Sequence, residues 1–324
     1  LEADEIRSGT QKGVREIVRG SHWFGARMEV REEPVVKIDC KQGLIKAVRF
    51  NADGQYAITC GSDRTIKLWR PIKLLQLKCY RGHSAEVLDA DTKQDNSQFV
   101  SCSNDKSVIV WDVENGKILR RFRNLAPFNT ICYGYEATTV FAGSLDGTVK
   151  IYDLRALNAW DPIQTLTEAN DSITCCRVSK HLVFTSSMDK CLRTYDIRQG
   201  KLAIDTMSVP LNHVSIGQDA GTLLVSCLRG SILLVDRLES SILNEYHGND
   251  NKLFKIESSF AMKDTMVVAG SEDGRVYIWD IMNKEPKLAL KHTNISPPII
   301  QSISSDTLDH LLTACSSHLY MWSI

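Results

Sequence analysis

Long apolar runs, an excess of one charge and paired cysteine motifs are all missing from this 324-residue sequence. No apolar stretch approaches the roughly 20 residues that cross a membrane as a helix. Lys plus Arg and Asp plus Glu each total 39, so no overall charge attracts nucleic acid or anionic lipid. The ten cysteines form no Cys-x-x-Cys and no zinc-type cluster, which predicts reduced core cysteines in a nuclear or cytoplasmic protein.

Signatures of catalysis are equally scarce. The sequence has no Gly-rich phosphate-binding loop, no zinc-binding helix motif and no pair of carboxylates in a catalytic pattern. We therefore predict that the protein is not an enzyme, and that it has no catalytic residues, no metal site and no cofactor.

What the sequence does contain is a repeat. Seven β-hairpin signals end in an aromatic or apolar residue, at intervals of 40 to 44 residues. These anchors are Trp69, Trp111, Tyr152, Tyr195, Val235, Trp279 and Trp322. Self-similarity at this period indicates a repeat architecture and favours a binding surface over a reaction centre.

Each repeat reads as short strands separated by tight turns. In the first, residues 45–50 alternate between apolar and polar, residues 56–60 are largely apolar, and residues 65–69 lead to the anchor. The turn at 61–64 has the polar composition of a hairpin, and its counterparts precede most other anchors. About 42 residues in four strands is the size of one propeller blade, which predicts an all-β fold.

These segments resemble the WD-repeat family, in which an anchor Trp is followed by Asp. Four anchors here are followed by Asp112, Asp153, Asp196 and Asp280. The resemblance implies a seven-bladed WD40-type β-propeller over residues 35–324. The last repeat ends at its third strand, so we expect residues 35–40 to supply the fourth strand and close the ring. Residues 1–34 are predicted to form an N-terminal arm that is either flexible or ordered by a partner.

In WD repeats a histidine, a turn aspartate, a strand serine and the anchor tryptophan form a hydrogen-bonded network. The resemblance assigns these roles to His83, Asp105, Trp111 and one of Ser101 and Ser103, with Ser103 taken as the network serine. A His-Asp-Ser set also invites comparison with a hydrolase triad. We predict a structural role, because a nucleophilic serine would need a solvent-facing position and an oxyanion hole.

One rim of the ring is the predicted partner-binding face. It gathers the residues before each turn aspartate and the loops entering each blade, namely Ser62, Glu86, Asn104, Phe128, Leu145, Met188, Arg229, Asn251, Phe254, Glu272 and Pro298. Four of these residues are apolar where a spacer would be polar, which is typical of protein-binding surfaces. The alternative is that they pack against neighbouring loops.

Two arginine boxes and one basic stretch can each be explained either by contacts within the fold or by partner binding. Arg155 and Arg198 end consecutive aromatic-Asp-x-Arg boxes, which resemble the boxes that dock WD-repeat substrate receptors on the adaptor of cullin-RING ubiquitin ligases. Such arginines also pair within their own blade. The basic stretch 117–123 suits either a solvated edge strand or an RNA or acidic-partner contact.

Residues 60–69, 82–90 and 267–280 resemble one subgroup of the family in particular. That subgroup is associated with a mitogen-activated protein kinase cascade and with the spliceosome. The resemblance implies a protein-interaction scaffold whose partners are splicing factors and kinase-cascade components. RNA would be reached only indirectly, no membrane would be bound, and the propeller would be monomeric within larger assemblies. The alternative is the ubiquitin-ligase substrate receptor.

Overall fold

A computed structural model describes residues 33–156, 158–292, 299–306 and 310–324. Within these ranges the chain forms seven four-stranded antiparallel sheets, together with one short 3-10 helix at Pro71–Lys73. The predicted arm at 1–34 and the rim residue Pro298 lie outside the described residues, except for Glu33 and Pro34.

The strands are numbered in chain order. The first fourteen are β1 (Val36–Asp39), β2 (Ile45–Phe50), β3 (Ala57–Gly61), β4 (Thr65–Arg70), β5 (Leu75–Arg81), β6 (Val87–Thr92), β7 (Gln98–Ser103), β8 (Ser107–Asp112), β9 (Ile118–Arg123), β10 (Phe128–Tyr133), β11 (Thr139–Ser144), β12 (Val149–Asp153), β13 (Gln164–Leu166) and β14 (Ile173–Ser179). The second fourteen are β15 (Leu182–Ser187), β16 (Cys191–Asp196), β17 (Lys201–Thr206), β18 (Leu211–Ile216), β19 (Thr222–Cys227), β20 (Ile232–Asp236), β21 (Ile242–Tyr246), β22 (Ser258–Ala261), β23 (Met266–Ala269), β24 (Arg275–Asp280), β25 (Leu288–Lys291), β26 (Ile300–Ser305), β27 (His310–Cys315) and β28 (His318–Ser323).

Blades 1 to 6 are consecutive groups of four strands, from β2–β5 to β22–β25. Their first strands contact one another in order around the ring, and β26 contacts β2 to complete the circle. These first strands therefore surround a central channel. The fourth strands form the outer edges, and β17, for example, is almost wholly exposed.

The core lies between neighbouring blades. Second strands such as β7 and β15 are buried on both faces because a sheet covers each side, and their small polar residues are buried with the apolar ones. Between blades 1 and 2, Tyr80 packs edge-on against Phe99, and Phe99 stacks on Trp111. The anchor residues are thus structural members of the interfaces between blades.

The last blade is completed from the N-terminal side, as predicted from residues 35–40. Strand β1 pairs with β28, with Val36 opposite Met321 and Ile38 opposite Leu319. Both Val36 and Ile38 are buried. The ring is therefore closed by the hydrogen bonds of β1 within blade 7 and by apolar packing between blade 7 and blade 1.

Because strands alternate in direction, the ring has two distinct faces. The upper face carries the turns between second and third strands and the loops that join one blade to the next. The lower face carries the ends of the third strands, including Asp112, Asp153 and Asp196.

Candidate functional site

The network predicted for blade 2 is present, with one change of serine. His83 Nδ1 lies 2.9 Å from Asp105 Oδ2, and His83 Nε2 lies 2.8 Å from Ser101 Oγ. The Trp111 indole donates to the same Ser101 oxygen at 2.8 Å. Ser103, to which the sequence assigned this role, instead donates to Glu86 O and accepts from the Asp105 N–H. All of these polar atoms are used within one blade, which leaves Ser101 no role as a nucleophile.

The Asp105 carboxyl is held as a carboxylate by this network. Burial alone would raise its pKa, but hydrogen bonds from His83, Ser107 and the Ser84 N–H outweigh burial and lower it. The network therefore stabilises the charged form of the turn aspartate.

Two other blades contain partial networks that the sequence did not reveal. In blade 7, His292 Nε2 lies 2.8 Å from Thr313 Oγ1, which also accepts from the Trp322 indole. In blade 1, Gln42 takes the place of histidine and accepts from Thr59 Oγ1. In both blades the threonine lies on the second strand, two residues after the residue that pairs with the anchor Trp. A threonine at this position was the sequence signal that could have identified the two networks.

Backbone hydrogen bonds hold the turns and entry loops of the upper face together. The Asn104 N–H donates to Glu86 O, the Met188 N–H to Ser172 O, and the Leu145 N–H to Pro127 O. The structure therefore places both groups of predicted rim residues on one face.

The predicted rim residues differ in their access to solvent. Leu145, Asn104 and Arg229 are exposed, whereas Ser62, Glu86, Met188, Phe254 and Glu272 are half-buried. Phe128 and Asn251 are buried, so their assignment to a contact surface is corrected. Phe128 is the first residue of β10 and packs in the core between blades 2 and 3. The Asn251 amide donates to Cys227 O and accepts from Asn212.

Two exposed leucines on this face were missed. Leu125, in the loop before Phe128, is 91% exposed, and Leu253, next to Phe254, is 82% exposed. They stand in loops rather than strands, so periodicity gave no signal. An apolar residue in a blade-connecting loop, where polar residues are usual, was the available clue.

Glu272 has a positioning role on this face. Its Oε1 accepts the backbone N–H groups of Lys252 and Leu253, both at 2.7 Å, and of Phe254 at 3.0 Å. Three donors on one carboxylate oxygen fix the loop that presents Leu253 and Phe254.

Inside this rim, the channel opens upward into a cavity of about 350 Å³, here called the upper mouth. Its lining residues are Lys46, Leu88, Asn129, Ser172, Thr174, Met188, Asn212, Leu228, Leu253, Phe254, Lys255, Glu257 and Gln301. Two predicted rim residues, Met188 and Phe254, thus border a concave site.

Below the upper mouth, charged side chains from the inner strands cross the channel. Arg49 Nη2 lies 2.6 Å from both Asp89 Oδ1 and Glu257 Oε1, and Arg49 Nη1 lies 2.8 Å from Glu257 Oε2. Burial alone would raise the pKa of both carboxyls, but the Arg49 guanidinium holds each below its ordinary value. The two carboxylates are therefore ionised and paired.

The same network reaches every blade, and we call it the channel network. Beyond the Arg49 pairs, Thr130 donates to Asp89, Ser302 donates to Glu257, and Arg177 Nη2 lies 3.2 Å from His213 Nε2. Each blade contributes one residue that lies on its first strand or directly before it: Arg49, Asp89, Thr130, Arg177, His213, Glu257 and Ser302. Sequence reasoning missed this set because its members lie about one repeat apart and match no motif.

A buried thiol borders the channel network. Burial disfavours the Cys175 thiolate, but Arg177, His213 and Lys255 outweigh burial and lower the Cys175 pKa to about 6. Cations in and beside the channel network therefore also lower the pKa of a neighbouring thiol.

The two boxes of the lower face are unequal. Arg155 forms a bidentate pair with Asp153 of its own blade, at 3.1 and 2.9 Å. Arg198 is exposed, and its side chain has no ion pair with a described residue. The local interpretation therefore applies to Arg155.

Two of the four cations in the basic stretch contact neighbouring segments. Arg120 is buried, donates to Asp153 O and Ala159 O, and lies over the Phe122 and Trp160 rings. Arg121 donates to Gly82 O. These two guanidinium groups fasten β9 to adjacent loops.

Among the described residues, no three His, Cys, Asp or Glu side chains are grouped closely enough to hold a metal ion. The same part of the chain has no helix with the length and hydropathy of a membrane span.

Five segments of the chain match the family model described as WD domain, G-beta repeat, at residues 32–70, 75–112, 117–153, 160–196 and 241–280. They cover more than half of the chain. Each begins at the outer strand of one blade and ends with the third strand of the next, so the sequence repeat is staggered by one strand. The unmatched third strands belong to blade 5, with Val235 as anchor and Arg229 at the turn, and to blade 7.

Curated relatives match over most of their length. The chain is 38% identical to WD repeat domain-containing protein 83 of Homo sapiens over 295 residues, which is 91% of this chain and 93% of that protein. It is 42% identical to the Danio rerio protein of the same name over 286 residues, 88% of this chain and 90% of that protein. It is 30% identical to a homolog in Dictyostelium discoideum over 316 residues, 84% of this chain and 97% of that protein.

Proposed function

The chain belongs to the WD40-repeat family, and on that basis we propose that it is a non-catalytic scaffold that holds other proteins together. We further propose that it acts as a component of the spliceosome, as an organiser of a mitogen-activated protein kinase cascade, or as both, in the nucleus and cytoplasm. The support for these assemblies is the likeness of residues 60–69, 82–90 and 267–280 to one subgroup of the family.

One observation carries the binding role: apolar side chains are exposed together around the upper mouth. The exposed Leu253 lines the cavity together with the half-buried Met188 and Phe254, and Leu145 is exposed in a turn of the same face. An apolar centre surrounded by charged residues is the usual composition of a protein-binding surface.

Rigidity is the proposed mechanism. The closed ring and the channel network tie all seven blades together, so partners on different surfaces keep a fixed separation. Bringing two partners to one rigid body raises their effective concentration without any chemistry by the scaffold.

Affinity purification from nuclear and cytosolic extracts, with RNase treatment, tests this role. We expect splicing factors or kinase-cascade components to be recovered after RNase and to be lost with Leu253→Glu/Phe254→Glu. Phe128 is unsuitable for substitution because it is buried. The matched control is Leu238→Glu, an exposed leucine on the lower face. Equal loss in both variants, or recovery that disappears with RNase, would contradict the proposal.

The ubiquitin-ligase substrate receptor remains the second candidate. The placement of Arg155 and Arg198 on the lower face of adjacent blades favours it, whereas the Arg155–Asp153 pair weakens it. In the same purification, a cullin adaptor that is recovered with wild type and lost with Arg155→Ala/Arg198→Ala would establish this alternative.

A further inference from the structure

Side chains of two kinds line the upper mouth. Five are apolar, namely Leu88, Met188, Leu228, Leu253 and Phe254. Five others are two lysines and three amides, namely Lys46, Lys255, Asn129, Asn212 and Gln301. These polar side chains decide which partner chemistry the cavity accepts.

Lys255 is a cation without a paired anion. Its Nζ has no carboxylate within 4 Å among the described residues, and its hydrogen-bond contact is with Asn129 O at 3.5 Å. The other lysine, Lys46, lies 3.5 Å from Glu86 at the rim. The lining therefore includes one lysine, Lys255, that forms no ion pair with a described carboxylate.

Glu257, the carboxylate at the floor of the cavity, is already fully used. Its Oε1 accepts from Arg49, and its Oε2 accepts from Arg49, Ser302 and the Ile303 N–H. The cavity thus presents no free carboxylate to a lysine or arginine of a partner.

Gln301 supplies an independent observation. The residue is 8% exposed and lines the cavity, yet its side-chain amide forms no hydrogen bond with a described residue. The donor and acceptor atoms of this amide are therefore open to a ligand in the cavity.

From these contacts we propose that the upper mouth is a specificity pocket for an anionic side chain of a partner peptide, with an apolar residue of the same peptide on Leu253 and Phe254. Lys255 and Gln301 would donate to the anion, and Lys46 would add attraction from the rim. This proposal rests on the proposed scaffold function, because it names the chemistry recognised by the same face.

Selection from a random dodecapeptide phage library on the folded full-length protein tests the proposal. We expect enriched peptides to carry Asp or Glu next to an apolar residue, and binding to be lost with Leu253→Glu. Selection on Lys255→Glu should replace the acidic residue by Lys or Arg. Lys201→Glu, on the exposed outer strand β17, is the matched charge control and should leave the wild-type preference intact.

A synthetic peptide from the selection then gives the magnitude. Lys255→Met should weaken binding about tenfold or more, as expected for a charge-assisted contact, and Lys255→Arg should restore most of the affinity. A version with phosphoserine in place of the acidic residue distinguishes a phosphate source from a carboxylate source. Binding should fall as salt concentration rises.

The outcomes distinguish failure of the anion pocket from failure of the binding face. Peptides that depend on Leu253 but show no acidic preference would overturn the anion pocket and leave the binding face intact. Peptides indifferent to Leu253 and Lys255 would overturn both. Melting temperatures of the variants, which should match wild type, exclude loss of folding as the cause.

Discussion

Removing the cation at the centre of the channel network should destabilise the whole ring. Arg49→Met keeps the length of the side chain but leaves Asp89 and Glu257 buried without their shared partner. Breaking a buried ion pair by deleting one member costs about 3–5 kcal/mol. For a chain of this size we expect a fall in melting temperature of roughly 6 °C.

The pH dependence gives this prediction a specific signature. In the wild type, Arg49 counteracts burial and lowers the pKa of Asp89 and Glu257, so their contribution is present above about pH 4, the unfolded value, and is lost at lower pH. Without Arg49, burial raises both pKa values, and protonation at pH 5 relieves the unpaired charges. The difference in unfolding free energy between wild type and variant should therefore shrink from pH 7.5 to pH 5.

Urea denaturation at the two pH values measures this difference, with Arg123→Met as the control for losing an exposed arginine. The double variant Arg49→Met/Glu257→Met should regain part of the lost free energy, because one buried charge is removed with its partner. A loss below about 1 kcal/mol at pH 7.5, or a loss equal at both pH values, would refute the role of Arg49.

Three further predictions concern closure and the blade networks. Deletion of residues 1–40 removes β1 and should give aggregated or low-melting protein by size-exclusion chromatography and thermal unfolding; unchanged melting would disprove closure by β1. Ser101→Ala should cost about 2 kcal/mol in denaturant titrations, because buried groups of His83 and Trp111 lose their partner; a neutral effect would contradict this. Burial lowers the pKa of His292 to about 4, so stability should rise by about 3 kcal/mol between pH 4 and pH 6.5 from this residue, a slope that His292→Gln should remove.

The architecture could be predicted because it depends on local signals that recur. Each anchor fixes the end of a third strand, and the unfinished last repeat identified residues 35–40 as the closing strand, which β1 confirms. The network serine of blade 2 was assigned wrongly because two serines stand two residues apart in the sequence. Ser101 and Ser103 project from the same face of β7, so alternation cannot tell which one reaches Trp111.

The candidate site was less predictable because its parts meet only in three dimensions. Phe128 was placed in a loop, but it begins an inner strand and is covered by the preceding blade. Arg49, Asp89 and Glu257 lie on different blades, and their pairing depends on the diameter of the ring. Charged residues within the inner strands β2 and β6, or directly before β22, were the sequence signal that could have marked them.

The pairing of β1 with β28 also sets an order of events during synthesis. Asp39 and Ser317, which meet at this seam, are 278 residues apart in the chain. Strand β1 must therefore wait until β28 has been made before it finds its partner. Meanwhile blades 1 to 6, each built from adjacent strands, can assemble in sequence. Ring closure is thus a late, non-local step, and until it occurs the edge of β28 that β1 covers is unpaired and is the surface that chaperones would have to protect.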